Sequence, residues 1–229
     1  MILYIETSDK ICSVSLAEKE KLTEELEERG DRLHSSALSV LINEIITKHD
    51  IVYHELDAVA VSKGPGSYTG LRIGVSVAKG ICYGAGIPLV GIPTLQAMAS
   101  GFLKSDAIIP DENAIYCPML DARRMEVYCA FFNAGGNYIE KEKAVVIDEY
   151  SFMDFMPGKK IIYFGPGAEK CQPVIKRENV EFHADFFPLS SHMVSIAEYH
   201  YQKGDVEDVA YFEPFYLKDF IATTPKRRF

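Results

Sequence analysis

The stretch "VSKGPGSYTGLRIGVSVAKG", Val61–Gly80, decides the fold because it leads from a strand through a glycine-rich turn into a helix. The six residues 56–61, "LDAVAV", have the continuous apolar pattern of a buried strand. The following residues are predicted to form a structural turn: Gly64, Pro65, Gly66, Ser67 and Thr69. A helix is then predicted from about Thr69 to Tyr83. The unit is therefore strand, tight turn, helix.

The glycine-rich turn does not match the known phosphate-binding loops. A Walker A loop needs a Gly-Lys-Ser/Thr step, which is absent after Gly66. The dinucleotide fingerprint G-x-G-x-x-G also fails, because Gly64 and Gly66 are followed by a glycine only at Gly70. Ser67 and Thr69 can still cap the helix or hold an anion at its N-terminus, and capping is the commoner role of such residues.

Small residues recur at four-residue spacing along the predicted helix, at Gly70, Gly74, Ala78 and Cys82. Glycine inside a helix costs about 1 kcal/mol relative to alanine, so this ridge needs a compensating close approach. The ridge packs either on the chain's own sheet or on a helix of another subunit, and the pattern leaves both open. In the second case, Gly74→Leu is expected to block association without unfolding the subunit.

Strands alternate with helices along the rest of the chain, which predicts an α/β fold with mixed sheets. A polar segment with a proline, residues 104–114, separates two halves, and we place two subdomains at residues 1–104 and 105–229. A second Gly-Pro-Gly, Gly165–Gly167, follows another apolar strand and suggests duplication of an α/β unit.

A second amphipathic helix is predicted over residues 33–46. Its predicted buried stripe is Leu33, Ala37, Leu38, Leu41, Ile42 and Ile45. Val40 and Ile46 fall outside the stripe, which makes the helix a candidate for burial on two sides, including against another subunit.

Composition excludes several functional classes. The formal net charge of -9 disfavours a broad nucleic-acid-binding face, and the one basic cluster, Lys226–Arg228, is most simply a solvated tail. The five cysteines show no C-x-x-C spacing and the six histidines no ligand pair, so neither a disulfide framework nor a metal site is expected. We expect a cytoplasmic protein with no signal peptide and no membrane span.

One charged segment lies between predicted strands, at Asp121-Ala122-Arg123-Arg124. A turn-stabilising ion pair is the default interpretation, and a functional polar contact is the alternative.

Several segments together resemble the TsaB family, also called YeaZ, in order along nearly the whole chain. They are "ILYIETSDKICSVSL", "RLHSSAL", "AVSKGPGSYTGLRIGVSVAKG", "GIPTLQAMA", "LDARRMEVY" and "EPFYLK". The resemblance implies two actin-like subdomains of the sugar kinase, Hsp70 and actin class. It also implies a role in making threonylcarbamoyladenosine in tRNA.

The resemblance implies a non-catalytic scaffold that activates a TsaD-like catalytic subunit, with no cofactor of its own. In TsaD a metal is held by an H-x-x-x-H pair, which would fall near Thr94 and Met98 here, and neither side chain replaces an imidazole. A TsaE-like ATPase is the further partner, a homodimer is expected when the chain is alone, and tRNA is reached only through the complex. Glu6-Thr7-Ser8 departs from the Asp-Thr of many relatives, which counts against nucleotide binding.

The docking surface implied by the resemblance comprises both predicted helices. Its predicted residues are Leu33, His34, Ala37, Val40, Leu41, Gly70, Leu71, Gly74, Val75 and Ala78. The alternative functions are an actin-fold ATP-dependent phosphotransferase or a glycoprotease-like peptidase. A direct tRNA-binding module would depend on the Lys226–Arg228 tail.

Overall fold

The structure is a computed structural model that describes residues 1–30, 34–106 and 108–218. Its strands form two five-stranded sheets. The strands of the first sheet and the three helices between and after them are β1 (Ile2–Glu6), β2 (Ile11–Glu18), β3 (Lys21–Arg29), α1 (His34–Lys48), β4 (Ala58–Gly64), α2 (Tyr68–Ala85), β5 (Leu89–Pro93) and α3 (Thr94–Lys104). The remainder comprises β6 (Ile115–Asp121), β7 (Glu126–Phe132), β8 (Tyr138–Val146), β9 (Ile161–Phe164), α4 (Ala168–Cys171), β10 (Val180–His183) and α5 (Val194–Lys203).

The two sheets repeat one topology. The strand orders are β3-β2-β1-β4-β5 and β8-β7-β6-β9-β10. In each sheet the first three strands are antiparallel neighbours, and the last two join in parallel. A Gly-Pro-Gly turn follows the fourth strand in both halves. The repeated turn in the sequence therefore marks a repeat of the whole strand order.

Helices cover both faces of the first sheet. On one face α1 and α2 form a core with the strands, in which Leu38, Ile45 and Ala78 are fully or almost fully buried. Ile46, placed outside the apolar stripe by the sequence pattern, is also buried there, because it lies one helical turn beyond Ile42. On the other face, Val90 and Ile92 pack against α5.

The second sheet has a thinner cover. Where the first half has α1, the second has an irregular segment, residues 148–160. The buried Arg177 stabilises this segment, since its guanidinium donates to the carbonyl oxygens of Phe152 at 2.6 Å and Lys159 at 3.0 Å, and to two more between them. Where the first half has α2, the second has the single turn of α4.

The chain returns to the first sheet after the second is complete. Besides α5, residues 205–218, which we call the C-terminal strap, pack along β4, β5 and α2. The backbone N–H of Glu207 donates to Leu89 O at 2.8 Å, and that of Phe215 donates to Lys63 O at 2.7 Å. A division at Lys104 thus separates the two sheets, but residues 194–218 pack on the first one.

Among the helices of the described ranges, none is long and apolar enough to cross a membrane.

Candidate functional site

The turn before α2 is packed tightly by its own chain. Gly64 has a φ of 110°, and a Cβ atom built there would lie 2.5 Å from the carbonyl oxygen of Phe215 in the strap. A Cβ atom on Gly66 would lie 2.5 Å from Ser8 O. The glycines at these positions, on either side of Pro65, therefore let the turn fit between the strap and the β1–β2 hairpin.

Ser67 is the N-cap residue of α2. Its side chain accepts a hydrogen bond from the backbone N–H of Gly70 at 3.2 Å. Thr69 lies in the first helical turn and is exposed. The side chain of Ser67 is thus engaged within its own helix, the arrangement in which a serine caps the helix that follows it.

The small-residue ridge of α2 faces the chain's own first strand. Gly70, Gly74 and Ala78 are buried, as are the neighbouring docking candidates Leu71 and Val75. Residues with no exposed surface cannot meet a partner while the subunit keeps this packing.

Thr7 fills the space that the ridge leaves open. A Cβ atom on Gly70 would lie 2.0 Å from Thr7 O, and one on Gly74 would lie 2.3 Å from Thr7 Oγ1. This packing counts against the interpretation in which these two glycines admit a foreign helix, and against the expectation that Gly74→Leu leaves the subunit folded.

The α1 candidates divide between core and surface. Leu33 lies outside the described residues, and so does the side chain of His34, the first residue of α1. Leu41 is buried and Ala37 is half-buried in the core beneath the helix. Val40 is 60% exposed, so it is the α1 candidate best placed to meet another molecule.

A second stripe of small residues lies on the outward side of α2, at Ser76, Gly80 and Gly84. It has the same four-residue spacing as the buried ridge. Within the described part of the chain, a Cβ atom built on Gly80 or Gly84 would meet nothing within 4 Å. Tyr83, beside this stripe, is 85% exposed. We call Val40, Ser76, Gly80, Tyr83 and Gly84 the outward face.

The positions aligned with the metal ligands of TsaD lie in the core. Thr94 and Met98 both have 0% exposure on α3. The Met98 side chain lies beside the second Gly-Pro-Gly turn, where a Cβ atom on Gly165 would come 2.6 Å from Met98 Cε. The described residues contain no group of three or more His, Cys, Asp or Glu side chains arranged to hold a metal ion.

The two halves meet at a cleft of about 590 Å³. The β1–β2 hairpin, the start of α2, the β6–β7 hairpin and the end of the strap line it. Its lining includes Ser8, Tyr68, Arg123, Arg124 and Tyr216. Sequence reasoning singled out the two arginines, but it did not bring them together with the turn before α2.

The two hairpins hold their acidic residues differently. Glu6, at the end of β1, has 0% exposure, accepts from Ser8 N at 2.6 Å and Ser62 Oγ at 2.8 Å, and has its pKa raised by burial. Asp121, at the equivalent end of β6, is half-exposed and pairs with Lys170 at 2.6 Å. Asp121 thus pairs with Lys170 of α4 instead of with an arginine of its own segment.

Comparison with known proteins places this geometry in a family. The family model for TsaD, described as tRNA N6-adenosine threonylcarbamoyltransferase, matches residues 28–224. The TsaB protein of Escherichia coli, a tRNA threonylcarbamoyladenosine biosynthesis protein, is 29% identical over 228 residues, which cover 96% of each chain. The TsaB of Haemophilus influenzae is 34% identical over 127 residues, 56% of this chain and 51% of that one.

The solved structure of YeaZ from Pseudomonas aeruginosa has the same fold. It aligns with a TM-score of 0.80 at 21% sequence identity, covering 94% of this chain and 99% of that chain. This similarity confirms the predicted α/β fold of two actin-like subdomains. The chain therefore belongs to the TsaD family as that model defines it and, within it, to the TsaB (YeaZ) family.

Proposed function

We propose that this chain acts in the threonylcarbamoyladenosine modification of tRNA, as a non-catalytic scaffold that binds a TsaD-like catalytic subunit. The names of the curated TsaB relatives support the process. The match of the TsaD family model across residues 28–224 supports the choice of partner, because it means that the two subunits share one architecture.

The observation that carries the scaffold role is the open space over Gly80 and Gly84. Gly80, in the interior of α2, costs the helix about 1 kcal/mol relative to alanine, while Gly84 lies in its last turn. At Gly70 and Gly74 the packing of Thr7 explains the glycine, whereas at Gly80 and Gly84 the described residues offer no such contact. A partner helix lying close to the α2 backbone supplies the missing reason.

The outward face provides the groups that such a contact needs. Small residues let two helix backbones approach, while Tyr83 on α2, 85% exposed, and Val40 on α1, 60% exposed, supply apolar surface. Since the partner shares the architecture, its equivalent helices can pack against α1 and α2 across an approximate twofold axis. A second copy of this chain competes for the same face, and a TsaE-like ATPase joins the assembled pair elsewhere.

Sedimentation velocity of this chain mixed with the TsaD-like protein of the same organism tests the proposal. Gly80→Leu should leave the subunit folded and weaken the complex by about ten- to a hundredfold, because a leucine in a packed helix contact costs about 1–3 kcal/mol. Glu169→Leu is the matched control, since it adds an exposed leucine to α4 of the other half.

The outcomes separate the possible occupants. Loss of the mixed complex for Gly80→Leu but not for Glu169→Leu supports the proposal. An intact mixed complex with Leu at position 80 refutes the assignment of the face. A Gly80→Leu variant that loses only self-association assigns the face to a second copy instead, and the proposed partner is then wrong.

A further inference from the structure

We propose that the cleft between the two halves binds one unstacked nucleotide of a single-stranded RNA segment, with its phosphate held by Arg123 and Arg124. This inference goes beyond scaffolding but depends on the proposed function for the identity of the ligand, because a tRNA-modification assembly brings an RNA strand to this protein. The supporting features are two exposed guanidinium groups on a fixed turn, which make no hydrogen bond or ion pair with the described residues, and an aromatic wall.

The turn that presents the two arginines is a tight hairpin turn. Arg123 and Arg124 have φ values of 68° and 47°, and Lys19 and Glu20, between β2 and β3, have similar values of 48° and 64°. Positive φ at two consecutive residues is typical of a two-residue hairpin turn, so this backbone sets the position of the arginines and is not by itself a sign of a binding site.

Asp121 and Lys170 hold this turn. Asp121 Oδ1 accepts from the backbone N–H of Arg123 at 2.7 Å. Lys170 Nζ donates to the carbonyl oxygen of Arg124 at 2.8 Å and to Asp121 Oδ1 at 2.6 Å. The turn is therefore fixed through its backbone and through Asp121, which leaves the arginine side chains uncommitted.

The two guanidinium groups are exposed at the rim of the cleft. In the described ranges, neither side chain makes a hydrogen bond or an ion pair. Two acidic groups in the cleft are already engaged, Asp121 with Lys170 and Glu126 with Lys218. The planar guanidinium of arginine can donate paired hydrogen bonds to two oxygens of a phosphate, so two adjacent arginines favour a phosphate group.

Ser8 lines the cleft but is committed to its own hairpin. It is only 2% exposed. Its backbone N–H and its side chain both lower the pKa of the buried Glu6 carboxyl, against the larger effect of burial. Ser8 therefore serves Glu6, and the ligand contacts fall to the groups at the rim of the cleft.

One wall of the cleft is aromatic. The rings of Tyr68 and Tyr216 lie 4.8 Å apart between centroids, and the guanidinium of Arg72 lies 4.2 Å from the centre of Tyr68. Aromatic rings beside cationic groups are the usual platform for the bases of single-stranded nucleic acids. The volume of about 590 Å³ suits a small ligand. It therefore admits a single unstacked nucleotide and excludes a duplex.

The net charge of -9 limits the size of the contact. The two arginines share one phosphate, so the logarithm of affinity should fall with the logarithm of salt concentration with a slope of about -0.7. The binding is thus local and weak by itself, in contrast to a broad basic face.

Fluorescence anisotropy of a labelled short oligoadenylate RNA, titrated with the full chain at low salt, tests the proposal. The double variant Arg123→Asn/Arg124→Asn removes both charges, while asparagine tolerates the left-handed backbone better than most residues. Lys141→Asn is the matched control, because Lys141 is an exposed cation toward the far end of β8 from the β6–β7 hairpin. Unfolding curves for all three proteins verify that they are folded.

We expect the double variant to lose at least about tenfold in affinity, with the salt slope approaching zero, and Lys141→Asn to bind like the wild type. No RNA binding by the wild type, or equal binding by the double variant, overturns the proposal. Binding of free AMP, measured by calorimetry, without binding of the oligonucleotide also overturns it in favour of a free nucleotide. Binding of an oligoglutamate peptide in place of the RNA assigns the cleft to an acidic protein segment.

The double variant also separates this inference from the proposed function. Its substitutions lie on the β6–β7 hairpin, away from the outward face, so it should still form the complex with the TsaD-like protein. Failure of RNA binding with an intact complex refutes only the cleft proposal, whereas failure of the wild-type complex refutes the scaffold proposal.

Discussion

The two halves of the molecule have the same strand order but different helical covers. In the first half α1 has 15 residues and α2 has 18. In the second half an irregular segment takes the place of α1, and the 4-residue α4 takes the place of α2. The second sheet shows that this topology does not require long helices on the face that α1 and α2 cover in the first half. The length of α1 and α2 therefore calls for a further reason.

We find that reason on the outer surface of α2. Its inward glycines serve the fold, because Thr7 occupies the space beside them. Its outward glycines, Gly80 and Gly84, serve no packing in the described part of the chain. In the second half four carbonyl contacts from Arg177 stabilise the cover, together with the packing of Phe152 and Phe155 on Phe131.

The largest effect should come from Gly74→Leu. The side chain would meet Thr7, whose Oγ1 lies 2.3 Å from a Cβ atom at this position. We expect a loss of roughly 3–5 kcal/mol in the free energy of unfolding, measured by urea denaturation. Gly80→Leu is the control and should unfold at nearly the wild-type concentration; equal losses for both would remove the distinction between the two glycine stripes.

Arg177→Ala should destabilise the second half. Four carbonyl oxygens at 2.6–3.1 Å lose their donor, which we expect to cost about 3 kcal/mol. Limited proteolysis should then cleave within residues 148–160, while α1 and α2 stay intact. Arg177→Lys should recover little of the loss because an ammonium group does not span four carbonyls. Cleavage confined to the first half would contradict this account of the second.

The acids that end β1 and β6 should differ in their effect on pH-dependent stability. Burial raises the pKa of Glu6 above 4.5, so the folded state holds the proton more tightly than the unfolded state. Stability contributed by the protonated group is present below pH 4.5 and is lost as the pH rises through the folded-state pKa, by at most about 1.4 kcal/mol per pH unit. Glu6→Gln should remove this part of the slope.

Asp121→Asn is the control for that prediction, since Asp121 is half-exposed.

His192 affects stability in the opposite sense to Glu6, because burial lowers its pKa to about 4 and stability is lost as the pH falls from 6.5 toward that value. The quantity to compare is therefore the difference between wild type and variant in urea unfolding at each pH. An unchanged slope in Glu6→Gln would show that Glu6 is not the titrating group.

The smallest effect should come from Gly80→Ala. With open space around the position, alanine should stabilise the isolated subunit by up to about 1 kcal/mol through its helix propensity. Gly74→Ala, with the same chemical change, should destabilise it. Thermal unfolding of the two variants gives the comparison, and a destabilised Gly80→Ala protein would indicate an intrachain role for Gly80.

Local sequence patterns predicted the strand, turn and helix around Val61–Gly80 because apolar periodicity and capping act over a few residues. They did not decide which glycine stripe faces the sheet, since both repeat every four residues. That choice depends on Thr7, which lies 63 residues before Gly70 and donates to its carbonyl oxygen. The ion pair of Asp121 with Lys170 is equally nonlocal, at a separation of 49 residues.

The docking candidates were misplaced for the same reason. Gly70, Gly74 and Ala78 carry the strongest small-residue signal, yet their helix face is buried. Gly80 ends the quoted stretch and Gly84 lies one residue beyond the predicted helix, and only the packed structure shows that both lie in α2 with open surroundings.

Hydroxyl-radical footprinting of two exposed tyrosines, one in each half, tests most directly whether α2 is the docking helix. Tyr83, on the outward face of α2, is 85% exposed, and Tyr150, in the irregular segment of the second half, is 69% exposed. On addition of the TsaD-like protein, oxidation of Tyr83 should fall strongly while that of Tyr150 stays unchanged. Protection of Tyr150 with Tyr83 still oxidised at its free rate would contradict the assignment of α2 as the docking helix.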